Sequence, residues 1–209
     1  MVNDNRITLA VTGASGWPYA LSLLQTLVKQ QQQVFLLISD AAREVVRLET
    51  GQALPTQQQD CQAYLRHYCQ DNTGLIQLLN NHDWLSCVAS GSGAPRRMVI
   101  CPCSMGTLAA VACGLSNNLI ERAADVAIKE HHSLIIVPRE MPLSVLHLEN
   151  MLKLARLGVV VMPASPAFYH QPQSIQDVVD FVVERILKHL GLQGTLTAWG
   201  VNESYHEIS

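Results

Sequence analysis

Short, nearly continuous apolar runs alternate along the chain with longer stretches whose apolar residues recur every three or four positions. The runs are Ile7-Thr8-Leu9-Ala10-Val11-Thr12, Val34-Phe35-Leu36-Leu37-Ile38, Met98-Val99-Ile100-Cys101, Leu134-Ile135-Ile136-Val137 and Val159-Val160-Val161-Met162. An apolar run of that length without polar alternation marks a strand covered on both faces, as in a parallel sheet. After the first run Tyr19, Leu23, Leu24, Leu27 and Val28 fall at helical spacing. Cap-forming residues then open further helices. Ser39 and Asp40 precede residues 41–49, Ser104 precedes the next helix, and helices run over about 118–130, 144–157 and 174–190. Strand–helix alternation predicts a doubly wound, mainly parallel α/β sheet of five strands in a single domain, 1–209. Residues 50–97 break the rhythm. They are Gln-rich, carry Pro55 and read as an insertion within that domain. Residues 191–209 read as a polar tail that nonetheless carries Trp199.

Composition narrows the function classes. The 209 residues are 48% hydrophobic and only 15% charged, too apolar for disorder and enough to bury a core without disulfides. A net charge of −3 leaves no basic footprint for nucleic acid. No run reaches the ~18 apolar residues of a membrane helix. The amino-terminal residues lack the pattern of a secretory signal, so a cytoplasmic location is expected. The six cysteines form no C-x-x-C pair, and free thiols are expected. So little charge beside so much apolar residue also points to a surface partly buried in an oligomer.

Ligands of an open parallel sheet bind beyond the carboxyl ends of its strands. There the sequence supplies Gly13-Ala14-Ser15-Gly16, Ser39, Pro102-Cys103-Ser104-Met105-Gly106-Thr107, Pro138-Arg139-Glu140 and Pro163-Ala164-Ser165-Pro166-Ala167-Phe168-Tyr169-His170. Small residues, hydroxyls, one arginine and one tyrosine suit a planar, phosphorylated ligand, since glycines admit close backbone approach and helix N-termini hold phosphate. The glycine turn is not G-x-G-x-x-G, and Ser39 stands where a dinucleotide site has an acidic residue. Both favour a mononucleotide such as FMN. Arg122, Asp125 and Lys129 share one helix face. That spacing allows either a solvated ladder with Asp125 bridging both cations or a cationic binding surface. Arg139-Glu140 is either a surface ion pair or part of a site, and isolated Trp84 and Trp199 suit packing or an interface. The eight histidines are scattered, with no metal-ligand cluster and no Ser-His-Asp arrangement.

Five blocks, in order, strongly resemble the UbiX flavin prenyltransferases. They are Thr12-Gly13-Ala14-Ser15-Gly16, Cys101-Pro102-Cys103-Ser104-Met105-Gly106-Thr107-Leu108, Asn117-Asn118-Leu119-Ile120-Glu121-Arg122-Ala123-Ala124-Asp125-Val126 with Lys129-Glu130, Val137-Pro138-Arg139-Glu140-Met141-Pro142, and Pro166-Ala167-Phe168-Tyr169-His170-Gln171-Pro172-Gln173-Ser174. The resemblance implies a Rossmann-like (flavodoxin-like) flavoprotein that assembles as a dodecamer of trimers. It implies that reduced FMN and dimethylallyl monophosphate react, without a metal, to prenylated FMN, the cofactor of UbiD-type decarboxylases. Carried over by residue, the FMN site falls on Gly13, Ala14, Ser15, Ser39, Ser104, Met105, Gly106, Thr107 and Arg139. The prenyl phosphate site falls on Tyr169 and Arg185, with Ser90, Gly91, Arg122 and Lys129 nearby and partly from a neighbouring subunit. Glu49 and Glu140 are the implied acid/base carboxylates, and Trp84 and Trp199 flank the prenyl group. Relatives often carry Glu-Arg-Arg-Pro where this chain has Glu130-His131-His132-Ser133.

Two rivals stand beside this expectation. An FMN-dependent cysteine decarboxylase of the phosphopantothenoylcysteine type would carry a P-x-M-N-x-x-M-W block and a histidine after the first strand, and neither is present. A non-catalytic FMN-binding protein would not need Arg122, Lys129, Glu140 and Arg185 as a set.

Overall fold

The computed structural model describes residues 4–194. In order, they form β1 (Arg6–Val11), α1 (Trp17–Lys29), β2 (Gln33–Ile38), α2 (Asp40–Thr50), α3 (Gln58–Tyr68), β3 (Ile76–Leu78), a 3-10 turn (Cys87–Ala89), β4 (Arg97–Cys103), α4 (Met105–Ala112), α5 (Leu119–Lys129), β5 (Ser133–Pro138), α6 (Val145–Arg156), β6 (Val160–Val161) and α7 (Ile175–His189). All strand pairs are parallel, in the order β3-β2-β1-β4-β5-β6. This is the order of a Rossmann-like, doubly wound sheet, whose direction of winding reverses between β1 and β4. The chain divides into two compact units, Met1–Ser165, which carries the sheet, and Pro166–Ser209, which carries α7.

The continuous apolar runs are strands because both of their faces are covered. Ala10, Phe35, Leu37, Met98, Ile100 and Ile136 meet Leu108 of α4, Ala124 of α5 and Leu154 of α6 in one core. The residues between them, Leu9, Leu36, Val99 and Ile135, are equally buried and point to the opposite face, where α1 contacts β2 and β4. Each helix that the sequence opens with a capping residue starts there. Ser39, Ser104, Asn118, Ser144 and Ser174 accept the backbone N–H of Ala42, Thr107, Glu121, His147 and Asp177.

Residues 50–97 depart from the expected insertion. They contain α3 and a sixth strand, β3, which pairs with β2 through Val34 and Ile76. The signal is faint because β3 is a three-residue edge strand and α3 buries only Cys61 and Leu65. Asp71 shapes the turn between them. Its carboxylate, buried at 7% exposure, accepts the backbone N–H of Thr73, Gly74, Leu75 and Ile76 at 2.8–3.3 Å. Arg66 stands 3.7 Å away.

All six cysteines are free. Cys101 and Cys103 lie at the carboxyl end of β4 with no exposure. Burial pushes the Cys101 thiol up to about 12 and raises Cys103 too. Among the described residues, no helix is long and apolar enough to cross a membrane.

Candidate active site

The carboxyl ends of β1 and β4 are tied together by Thr12. Its buried hydroxyl donates to the Pro102 carbonyl at 3.0 Å and accepts the Ser104 N–H at 2.7 Å. The turn after β1 is therefore locked to the turn after β4. Gly13 lies so close to α2 that a Cβ would come 2.5 Å from the Ala41 Cβ, which leaves room only for glycine. At Gly16 φ is 132°, a conformation L side chains rarely adopt. Ser39 and Ser104 stand at the N-termini of α2 and α4, whose first N–H groups carry partial positive charge. Ser104 Oγ accepts the Thr107 N–H and donates to Thr107 Oγ1 at 3.1 Å. A Cβ on Gly106, in the first turn of α4, would meet nothing within 4 Å, so that backbone is open to a ligand. Ala14 is buried while Ser15 is exposed.

Glu49 occupies the remaining helix start. Its Oε1 and Oε2 accept the N–H groups of Gly16 and Trp17, each at 2.9 Å. The chain's own carboxylate thus fills the anion position of α1, and the free helix N-termini beside the glycine turn are those of α2 and α4. Arg139 and Glu140 follow β5 and are exposed, with Glu140 Oε1 accepting the Met141 N–H at 3.0 Å. Tyr19 of α1 is close enough to Arg139 to feel its charge. Burial and Cys101 raise the phenol, and Arg139 pulls it back.

A second group gathers on α5. Arg122 Nη1 pairs with Asp125 at 2.8 Å, and its Nε donates to the Ala89 carbonyl at 3.0 Å, immediately before Ser90. Lys129 pairs with Glu130, whose carboxylate sits where a Cβ on Gly91 would be. The ladder with Asp125 bridging both cations therefore does not form; Lys129 turns instead to Glu130. Because α5 leads into β5, it runs back across the sheet. Ser133 starts β5 opposite Arg97, the first residue of β4, and the rise from Arg122 to Lys129 is about 10 Å. Within one chain, Lys129 and Gly91 thus lie toward the amino-terminal edge of the sheet, away from Ser15 and Ser104. Trp84 is 48% exposed.

In the second unit the half-exposed Tyr169 ring lies 4.3 Å from His170 and 6.0 Å, edge on, from Phe181. Arg185 follows Phe181 by one helical turn and is exposed. Trp199 lies outside the described residues. Thr12, Tyr19 and Glu130 neighbour these residues and were not singled out as functional by the sequence, which did name Asp125 beside Arg122 and Lys129. A Thr closing a β-strand before a glycine turn, and acids spaced beside both cations, were the available signals.

The Flavoprotein family model matches residues 1–187. A flavin prenyltransferase UbiX of Pseudomonas aeruginosa is 57% identical over 201 residues, covering 96% of each chain. AnUbiX, solved with FMN and dimethylallyl pyrophosphate, superposes with a TM-score of 0.81 at 35% identity, covering 93% of this chain and 98% of its own. A dodecameric FMN-dependent UbiX-like decarboxylase from Escherichia coli O157:H7 gives 0.80 at 37% identity, covering 92% and 97%. With these matches running over nearly its whole length, on a Rossmann-like sheet that carries a glycine turn and capped helix N-termini at its strand ends and an arginine after β5, the chain belongs to the UbiX flavin prenyltransferase family of flavoproteins.

Proposed function

We propose that the chain transfers the dimethylallyl group of dimethylallyl monophosphate to reduced FMN, joining prenyl C1′ to flavin N5 and closing a fourth ring onto C6. FMN is here the substrate that accepts the prenyl group. The observation that carries the reading is the strand-end cluster: two helix N-termini, the hydroxyls of Ser39, Ser104 and Thr107, and the exposed Ser15 and Arg139 that follow β1 and β5. The AnUbiX complex supports it. Gly13, Ala14, Ser15, Ser39, Ser104, Met105, Gly106, Thr107 and Arg139 hold the flavin, with Ser15 orienting N5.

Breaking the allylic C–O bond leaves phosphate and develops positive charge on the prenyl fragment. Arg122, Lys129 and Arg185 stabilise the departing anion, Tyr169 donates to it, and Ser90 and Gly91 admit it. Trp84 and Trp199 stabilise the allylic charge and keep water away. Glu140 relays a proton to the phosphate or accepts the one lost at C6. Glu49 is the second acid/base carboxylate; its bonds to Gly16 and Trp17 add a role in fixing the glycine turn.

The opposite placement of Lys129 and Ser15 in one chain supports a site shared between subunits, in a dodecamer built of trimers. Prenylated FMN then passes to a UbiD-type decarboxylase. Free cysteines accord with work in the reducing cytoplasm.

The test is incubation with reduced FMN and dimethylallyl monophosphate, followed by mass spectrometry of the flavin. A gain of one prenyl unit is expected. Unchanged flavin would leave an FMN-binding protein, and conversion of a cysteine-type substrate to a decarboxylated thiol would establish the other enzyme class. Asp125→Asn, which releases Arg122 from its pairing, is expected to raise KM for the prenyl phosphate about fivefold, on the order of 1 kcal/mol. The melting temperature should stay nearly constant, as checked by steady-state kinetics beside thermal unfolding.

A further inference from the structure

The turn after the 3-10 segment is built like an anion seat. The hydroxyls of Ser90 and Ser92 stand 3.2 Å apart. Among the described residues, the N–H groups of Gly91 and Ser92 donate to no protein acceptor. Successive free N–H groups in a turn form a concavity that binds anions. Two cations of α5 border it: Arg122, bonded to the Ala89 carbonyl, and Lys129, two helical turns further on. The chain's own acid lies in this seat. A Cβ on Gly91 would collide with Cγ, Cδ and Oε1 of Glu130, and the same Oε1 contacts the Lys129 ammonium. Helix stability does not call for an acid here. Glu130 is the C-cap of α5, where the partial charge of the helix end is negative and favours a cation. The bond and charge of Lys129 hold the Glu130 carboxyl below its ordinary value, with smaller help from His132 and His131, so it is an anion at neutral pH.

We infer that Glu130 is a specificity-determining residue: its carboxylate holds the anion seat between Gly91 and Lys129 and competes there with every incoming phosphate. The side chains of Lys129 and Glu130 are 46% and 39% exposed, so their contact is weak and exchangeable, and losing it shifts an equilibrium by up to about fivefold. That loss falls equally on a prenyl phosphate and on free phosphate. Only the prenyl phosphate has an apolar tail whose burial offsets it. The seat therefore admits the substrate and discriminates against the bare anion, which is also the product. When the allylic C–O bond breaks, the tail no longer anchors the phosphate, and Glu130 takes Lys129 back as the anion leaves. The inference rests on the reading of Ser90, Gly91, Arg122 and Lys129 as the prenyl phosphate site.

The test compares the FMN-loaded parent with Glu130→Gln and with Glu130→Gln combined with Lys129→Ala. Inorganic phosphate binding is read by titration calorimetry, KM for dimethylallyl monophosphate and product inhibition by steady-state kinetics, and folding by thermal unfolding. Glu130→Gln is expected to bind inorganic phosphate about fivefold more tightly, to lower KM by a similar factor and to be inhibited by its product at correspondingly lower concentration. Adding Lys129→Ala should return phosphate affinity to the parent value or below it. Asp125→Asn provides the contrast. It is expected to raise KM, because Asp125 positions Arg122, whereas a general loss of negative charge would lower KM in both variants and overturn the inference. Unchanged phosphate affinity in folded Glu130→Gln would overturn it too, leaving an ordinary surface pair. So would weaker binding, which would make Glu130 a support for Lys129. If Glu130→Gln fails to fold, Glu130→Ala decides by the same readings. Tighter phosphate binding in a variant of a parent that does not prenylate FMN would sink the functional reading and leave the anion seat standing.

Discussion

Lys129→Ala is expected to slow formation of prenylated flavin by about 10²–10³-fold while FMN still binds, the usual cost of losing one charge-stabilising group at a reacting centre. Glu140→Ala should cost a similar factor, within the ~10²–10⁴ typical of proton-transfer groups. Single-turnover mass spectrometry reads the rate and fluorescence titration the binding. Normal rates in both variants would remove these residues from the mechanism. The orientation of α5 makes a sharper experiment possible. Lys129 lies toward the amino-terminal edge of the sheet and Glu140 at its carboxyl edge, so a site using both draws them from different copies. Coexpressing the two inactive variants should then restore about a quarter of parental activity, because random assembly pairs an intact Lys129 with an intact Glu140 at that fraction of sites. Two residues acting from the same chain would give no rescue at all.

Asp71→Ala is expected to destabilise the fold by about 3 kcal/mol or more, since it strands four backbone N–H groups that one buried carboxylate now satisfies. Asp71→Asn keeps one acceptor oxygen and should cost less. The pH dependence follows from competing effects. Burial pushes the Asp71 carboxyl up, but the N–H groups of Ile76, Leu75, Thr73 and Gly74 together hold it below its ordinary value. The unfolded chain therefore binds the proton more tightly than the folded one. This contribution is fully present above the ordinary carboxylate range, near pH ~4, and is lost as pH falls through the lower folded value. Urea unfolding of parent and Asp71→Asn at neutral and acid pH should show a gap that narrows toward acid. A constant gap would contradict the assignment.

How much of this could be read in advance depended on how each residue earns its place. β1, β2, β4 and β5 announced themselves because strands covered on both faces must be apolar throughout, and Ser39, Ser104, Ser144 and Ser174 announced helix starts because few side chains satisfy those N–H groups. β3 stayed hidden: three residues at a sheet edge leave no periodicity, and its turn rests on one polar side chain, Asp71. The strand-end residues were legible because topology alone says where a parallel sheet binds ligands. Partner choice among charges was not. Spacing placed Asp125 within reach of both Arg122 and Lys129, and only coordinates showed that Glu130, adjacent in sequence, takes Lys129 instead.

The buried pair Cys101 and Cys103 has a consequence for chemical endurance. A protein that handles a reduced flavin in air works beside a source of hydrogen peroxide, and peroxide attacks thiolates far faster than thiols. These two sulfurs lie at the carboxyl end of β4, just before the Ser104 cap, and burial keeps them protonated and out of solvent. That strand end is thereby built from residues that pack like small hydrophobes and offer peroxide little to oxidise.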